Sequence, residues 1–129
     1  LAILAPSPIQ VSESFIKAHT EKLSFNIFFY HSGKIPKILN DDNLLMERSK
    51  ANMARYFLKT KIFGKSLSFD EFALFESMKS NKIDLVLTEY GTTGVSAMNV
   101  IKMLNLPLIV HFHGYDAHHY ELVSANRNV

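Results

Sequence analysis

Short, almost unbroken apolar runs separated by helix-like stretches constrain this chain more than any other feature. Residues 1–5 (Leu-Ala-Ile-Leu-Ala), 25–30 (Phe-Asn-Ile-Phe-Phe-Tyr), 83–88 (Ile-Asp-Leu-Val-Leu-Thr) and 108–112 (Leu-Ile-Val-His-Phe) are each five or six residues long. Strands apolar on both faces belong in parallel sheets that helices cover on both sides.

The stretches between them carry helix signals. Ser12 reads as an N-cap and Glu13 as a first-turn charge. That helix is expected to reach about Leu23, with Phe15, Ile16, His19 and Leu23 on one stripe. Asn40-Asp41-Asp42 is expected to cap a second helix through about Leu58, carrying Leu44, Leu45, Ala51 and Ala54. Ser68-Phe69-Asp70-Glu71 is a capping box, and Phe72 and Phe75 follow it on a helix to about Ser80. Glu89-Tyr90-Gly91 reads as a turn. Thr92 or Thr93 then caps a largely apolar helix to about Asn105. Strand, helix, strand, helix, helix, strand, helix, strand is the order of an α/β fold. With right-handed crossovers it becomes a Rossmann-like, doubly wound parallel sheet. Residues 1–129 make one such domain, with no internal repeat or flexible linker.

Composition narrows the classes. At 47% hydrophobic and 20% charged the chain can bury a core. A net charge of +2 is too mild to imply a nucleic-acid partner. The absence of cysteine excludes disulfides, thiolate nucleophiles and Cys-ligated zinc. No apolar run approaches the ~20 residues that span a bilayer, and a cytoplasmic location is expected. The chain opens on Leu1, which reads as a trimmed start. Arg55, Lys59, Lys61 and Lys65 interleave with Tyr56, Phe57, Leu58, Ile62 and Phe63. That pattern reads as a solvated amphipathic helix, or as a peripheral contact with the inner face of a membrane.

Ligands of open parallel sheets bind outside the carboxyl ends of the strands. Residues 6–14, 88–93 and 111–116 fall there. Gly91 and Gly94 would let a ligand approach the backbone, and Thr92 sits at a helix N-terminus suited to anions. Gly91-Thr92-Thr93-Gly94 is not a dinucleotide fingerprint, and no glycine follows the first strand. The densest chemistry is residues 111–119, which hold four of the six histidines. On an extended strand His111 and His113 share a face, with His113 at the strand end and His111 one layer deeper. His111 reads as a buried, hydrogen-bonded residue, His19 as a packed helix residue, and His118 and His119 as solvated ones. Asp116 suits a helix cap or a ligand contact.

The run from Pro107 through His113-Gly114-Tyr115-Asp116 to Ala117 resembles the H-G-x-D segment of family 4 glycosyltransferases, enzymes of the GT-B fold. Ser12-Glu13-Ser14-Phe15-Ile16 is similar to the S-E-T-F-[IV] segment after the first strand in one branch of that family. Residues 83–88 are similar to the strand before its switch-point loop. The resemblance implies a retaining transferase in which two Rossmann-like domains face each other across a cleft. This chain would be the N-terminal, acceptor-side half. The missing C-terminal domain would bind the nucleotide sugar, and the acceptor would be a glycan or a lipid-linked one, as in polysaccharide biosynthesis. No metal or other cofactor is required in such enzymes. His113 maps onto the histidine beside the donor sugar. Gly114, Tyr115, Asp116, Ser12, Glu13, Gly91 and Thr92 are the expected substrate contacts. Two departures stand out. The first loop lacks the Gly-Gly pair of many members, and no C-terminal E-x7-E motif is present. Glu13 and Glu21 have that spacing, but on the first helix, where the match is chance. The chain is therefore expected to be an inactive fragment of a longer enzyme.

Two other classes compete. His111-x-His113-x-x-Asp116-x-His118 is close to a metallohydrolase ligand run, with one extra residue before the aspartate. A non-catalytic Rossmann-like binding domain is the third.

Overall fold

The structure is a computed structural model that describes residues 1–10, 13–63 and 67–114. Six strands form one sheet: β1 (Ala2–Leu4), β2 (Phe28–His31), β3 (Ile38–Leu39), β4 (Asn43–Leu44), β5 (Val86–Glu89) and β6 (Leu108–His111). Four helices accompany them: α1 (Ser14–Lys22), α2 (Lys50–Phe63), α3 (Phe69–Ser80) and α4 (Gly91–Leu104). The strand order is β4-β3-β2-β1-β5-β6. β2, β1, β5 and β6 run parallel, and β3 and β4 add an antiparallel edge. The fold is mixed α/β with a mostly parallel sheet, compatible with a Rossmann-like architecture.

Strand parity divides the core. Ala2 and Leu4 of β1 join Tyr30, Val86, Phe72, Phe75, Ala97 and Val100 on the α3–α4 face. Ile3 and Ala5 join Phe29, Leu87 and Ile16 on the α1 face. The chain leaves β1 toward β2 by way of α1, and later adds β5 and β6 on the other side of β1. Right-handed crossovers in opposite directions put α1 and α4 on opposite faces. The β1–β5 boundary is thus the switch point, and open α/β sheets take their ligands in the carboxyl-end crevice at such a boundary.

The expected second helix is the largest correction. Asn40-Asp41-Asp42 caps no helix; it joins β3 to β4, and α2 starts only at Lys50. Asn40 sits in the left-handed region at φ 56°. It closes the turn through its backbone N–H to the Phe29 carbonyl, 2.7 Å, and through its side-chain oxygen to the Phe29 N–H, 3.1 Å. Asn and Asp serve turns as readily as caps, for the same side-chain reason. The true α2 cap is Ser49, whose hydroxyl accepts the Asn52 N–H. The wholly parallel sheet is corrected with it, because this hairpin supplies the antiparallel edge.

The third helix matches its sequence signal. Ser68 Oγ accepts the Glu71 N–H at 3.2 Å, and Glu71 Oε2 accepts the Ser68 N–H at 2.7 Å. Asn99 on α4 donates to Glu71 Oε1 at 3.0 Å, which ties the cap to the next helix. Burial pushes the Glu71 carboxyl up, but the bonds from the Ser68 backbone, Asn99 and the Ser68 hydroxyl outweigh it and leave it below its ordinary value. Behind α3, Tyr30 is fully buried with its hydroxyl against Ser77 and Asn81. Burial raises that phenol above its ordinary value despite both partners.

Two predictions follow from these contacts. Glu71 is lowered on folding, so its stabilisation is present above the unfolded value of about 4.5 and is lost as the pH falls through the folded one. Urea titrations should show wild type more stable than Glu71→Gln at neutral pH, with the gap closing below that range; a gap independent of pH refutes the linkage. Thr88 Oγ1 is buried with no hydrogen-bond partner among the described residues. Thr88→Val should therefore raise the unfolding free energy, by about 1 kcal/mol, and a lowered urea midpoint would mean that the hydroxyl has a partner.

Candidate functional site

β5 ends in a carboxylate that has no access to solvent. Glu89 is 0% exposed, and strand parity aims it, like Leu87, at the α1 face. Its ladder partner on β6 is His111. A buried carboxylate must be hydrogen-bonded or paired. Three imidazoles meet that need. His19 Nδ1, from α1, lies 2.5 Å from Glu89 Oε1. His111 Nδ1 lies 3.0 Å from Oε2, and His113 Nε2 lies 3.4 Å from the same oxygen. The site therefore joins α1, β5 and the end of β6.

Aromatic rings enclose His113. Its ring centroid is 4.1 Å from that of Phe15, 4.5 Å from Tyr90 and 4.3 Å from His111. Tyr90 is itself constrained, with φ 82° and ψ 137°, a conformation that costs a non-glycine residue about 1–3 kcal/mol. Two bonds hold it there: its N–H to the His111 carbonyl at 3.0 Å, and its hydroxyl to Glu13 Oε1 at 2.8 Å. The second bond links the switch-point loop to the loop after β1.

The expected site residues fare differently. His113, Glu13 and the switch-point loop do meet. Ser12, Tyr115, Asp116, His118, His119 and Lys65 lie outside the described residues. The expected cap at Ser12 is replaced, since α1 begins at Ser14 and Glu13 occupies the N-cap position with no side-chain cap bond to the helix. Nor do Thr92 or Thr93 cap α4: the helix begins at Gly91, and both threonines lie in its first turn. Gly91 does not make the turn, and the Phe112 ring fills the space where its Cβ would be. Tyr90 makes the turn, and a Cβ on Gly91 would fall 2.5 Å from Phe112 Cε1. Gly94 serves packing: a Cβ there would be 3.0 Å from Thr88 Oγ1, so α4 lies close against β5. Among the described residues, none lies within 4 Å of a Cβ added at Gly114.

Thr92 lines a cavity of about 340 Å³ with Pro6, Gly33, Lys34, Thr93 and Ser96. The cavity lies at the carboxyl ends of β1 and β2, and α4's first turn and the Lys34 ammonium suit an anionic group there. Another cavity, about 360 Å³, is lined by Pro8, Ile9, Thr20, Ile27, Phe29, His31, Asn40 and Asp41. Buried His31 has both nitrogens engaged, by Ser32 Oγ and the Asn40 carbonyl. The basic stretch on α2 is partly neutralised, because Arg55 and Lys59 both bind Glu76 of α3.

Sequence reasoning missed Glu89 and the role of His19. Glu89 was read as the first residue of a turn because the apolar run ends at Thr88. Its signal is parity with Leu87 on a strand that begins at Val86 rather than Ile83. His19 lies four residues after Phe15, on the same helix stripe, where it reads as a packed helix residue.

Against protein-family models, curated proteins and solved structures, the chain finds no match. No described helix is long and apolar enough to cross a membrane.

Glu89→Gln should lower the unfolding free energy by about 1–3 kcal/mol, because the buried acceptor for three rings is weakened. Denaturant midpoints equal to wild type would show that the carboxylate does not organise the cluster.

Proposed function

We propose that this chain is the N-terminal, acceptor-side domain of a retaining glycosyltransferase of the GT-B fold, similar to family 4, that uses a nucleotide sugar. The observation that carries the reading is the convergence at His113. The first residues of the H-G-x-D run lie in contact with Phe15, from the Ser-Glu-Ser-Phe-Ile segment, and with Tyr90 of the switch-point loop. The first two are segments on which the family resemblance rests, and Tyr90 lies two residues beyond the third, residues 83–88. They are distant in sequence, and the α/β sheet gathers them at its carboxyl edge.

In this reading a second Rossmann-like domain supplies the nucleotide site across the crevice. His113 and nearby backbone N–H groups hold the donor sugar as the phosphate leaves. Positioning and charge stabilisation give most of the rate. Glu89 and the flanking rings fix the His113 imidazole. The cavity at Pro6, Lys34 and Thr92 accepts a phosphate of the donor or an anionic part of the acceptor. A lipid-linked acceptor would bring the domain to a membrane surface on the cytoplasmic side. Phe57 and Leu58 of α2, 60% and 65% exposed, are the apolar residues offered there.

The test is transfer by the native full-length protein, assayed against a panel of nucleotide sugars with glycan and lipid-linked acceptors. His113→Ala should reduce transfer by about 10²-fold or more with thermal unfolding still cooperative. His113→Gln, which keeps a polar side chain, should retain more activity. Absence of transfer from every donor, or an unaltered rate in His113→Ala, overturns the reading.

A further inference from the structure

We propose that His19, Glu89 and His111 form a binding site for a divalent transition-metal ion of the zinc class. His19, Glu89 and His111 each offer one ligand atom, and these lie within 4.8 Å of one another. Two imidazole nitrogens and a carboxylate oxygen form a ligand set suited to zinc, cobalt or nickel rather than to calcium or magnesium. The ligands come from α1, β5 and β6, with Glu89 and His111 directly opposed in the β5–β6 ladder. The site is thus prepared by the fold and not by one flexible loop.

The two histidine nitrogens stand on different oxygens of Glu89, so binding requires the rings to regroup around one oxygen or the carboxylate to bind through both. Tetrahedral bonds of ~2.0–2.1 Å put neighbouring donor atoms roughly 3.3 Å apart. His111 Nδ1 already stands 3.0 Å from Glu89 Oε2, and His19 Nδ1 stands 2.5 Å from Oε1. Both histidine side chains are partly exposed, at 29% and 39%, while Glu89 is at 0%. The rings can therefore shift, by about 0.8 Å for His19 to reach the tetrahedral spacing, and solvent reaches the ion from their side. The carboxylate stays fixed, with its burial cost offset by a cation. His113, at 3.4 Å from Glu89 Oε2, becomes an outer partner that orients the carboxylate. The ion would tie α1 to the β5–β6 edge. This arrangement differs from the ligand run His111, His113, Asp116 and His118, since it uses neither residue beyond position 114.

Calorimetric titration of the chain with Zn²⁺, against a competing chelator, tests the site without any nucleotide sugar, so its result is independent of transferase activity. One ion per chain is expected. Co²⁺ in its place should give the visible absorption of a four-coordinate nitrogen–oxygen site. His19→Ala and His111→Ala should each weaken binding by about 100-fold, and His113→Ala by about tenfold. His19→Gln, which keeps a hydrogen-bond donor for Glu89, should fold and yet bind as weakly as His19→Ala. The double variant His118→Ala/His119→Ala should keep wild-type affinity. Bound Zn²⁺ should also raise the thermal midpoint in proportion to the logarithm of its free concentration. No binding at micromolar Zn²⁺, wild-type affinity in His19→Ala, or loss of binding in the double variant would each overturn the proposal.

Discussion

A single carboxylate with no access to water sets much of the arrangement at the carboxyl edge of the sheet. Glu89 is the last residue of β5. An ionised carboxylate there is costly unless its oxygens are occupied. Three histidines from α1, β6 and the residues after β6 occupy them. Breaking such a buried constellation from one side leaves the other side uncompensated. The angle of α1 on the sheet, the orientation of the His111 ring and the position of His113 are therefore coupled through one side chain.

The switch-point loop shows a related division of labour. The chain turns at Tyr90, in a conformation that glycine would adopt with less strain. The tyrosine's ring and hydroxyl make contacts that glycine could not: the ring packs on His113 and the hydroxyl meets Glu13. Glycine comes one residue later, at Gly91, where the constraint is the Phe112 ring. At Gly94 it is the closeness of α4 to Thr88.

The parallel part of the fold was legible because apolar runs and capping chemistry are local. The Ser68–Glu71 box, the four parallel strands and the helices α1, α3 and α4 follow from short windows of sequence. Where the reading failed, two local signals competed. Asn40-Asp41-Asp42 carries both cap and turn chemistry, and the pairing of Ile38 with His31 of β2, a tertiary contact, decided for the turn. The site was only half legible. His113 and the shared face of His111 and His113 follow from position and parity. Glu89 does not, because a charged residue after an apolar run looks like a strand end exposed to solvent. Its burial comes from α1 and from the neighbouring strand, neither of which is close in sequence.

The central position of β1 affects how the molecule is made. Its one neighbour, β2, appears soon after it. Its other neighbour is β5, with Ala2 beside Val86 and Leu4 beside Thr88. During synthesis the first strand emerges early and waits for about 80 further residues before its second edge is covered. Until then, three strongly apolar residues with open backbone groups are available to any passing strand. Parallel pairing over such a separation closes slowly. β1 is thus enclosed only after β5 has followed it, and the interval between the two events is when a nascent chain of this topology is most exposed to misassociation.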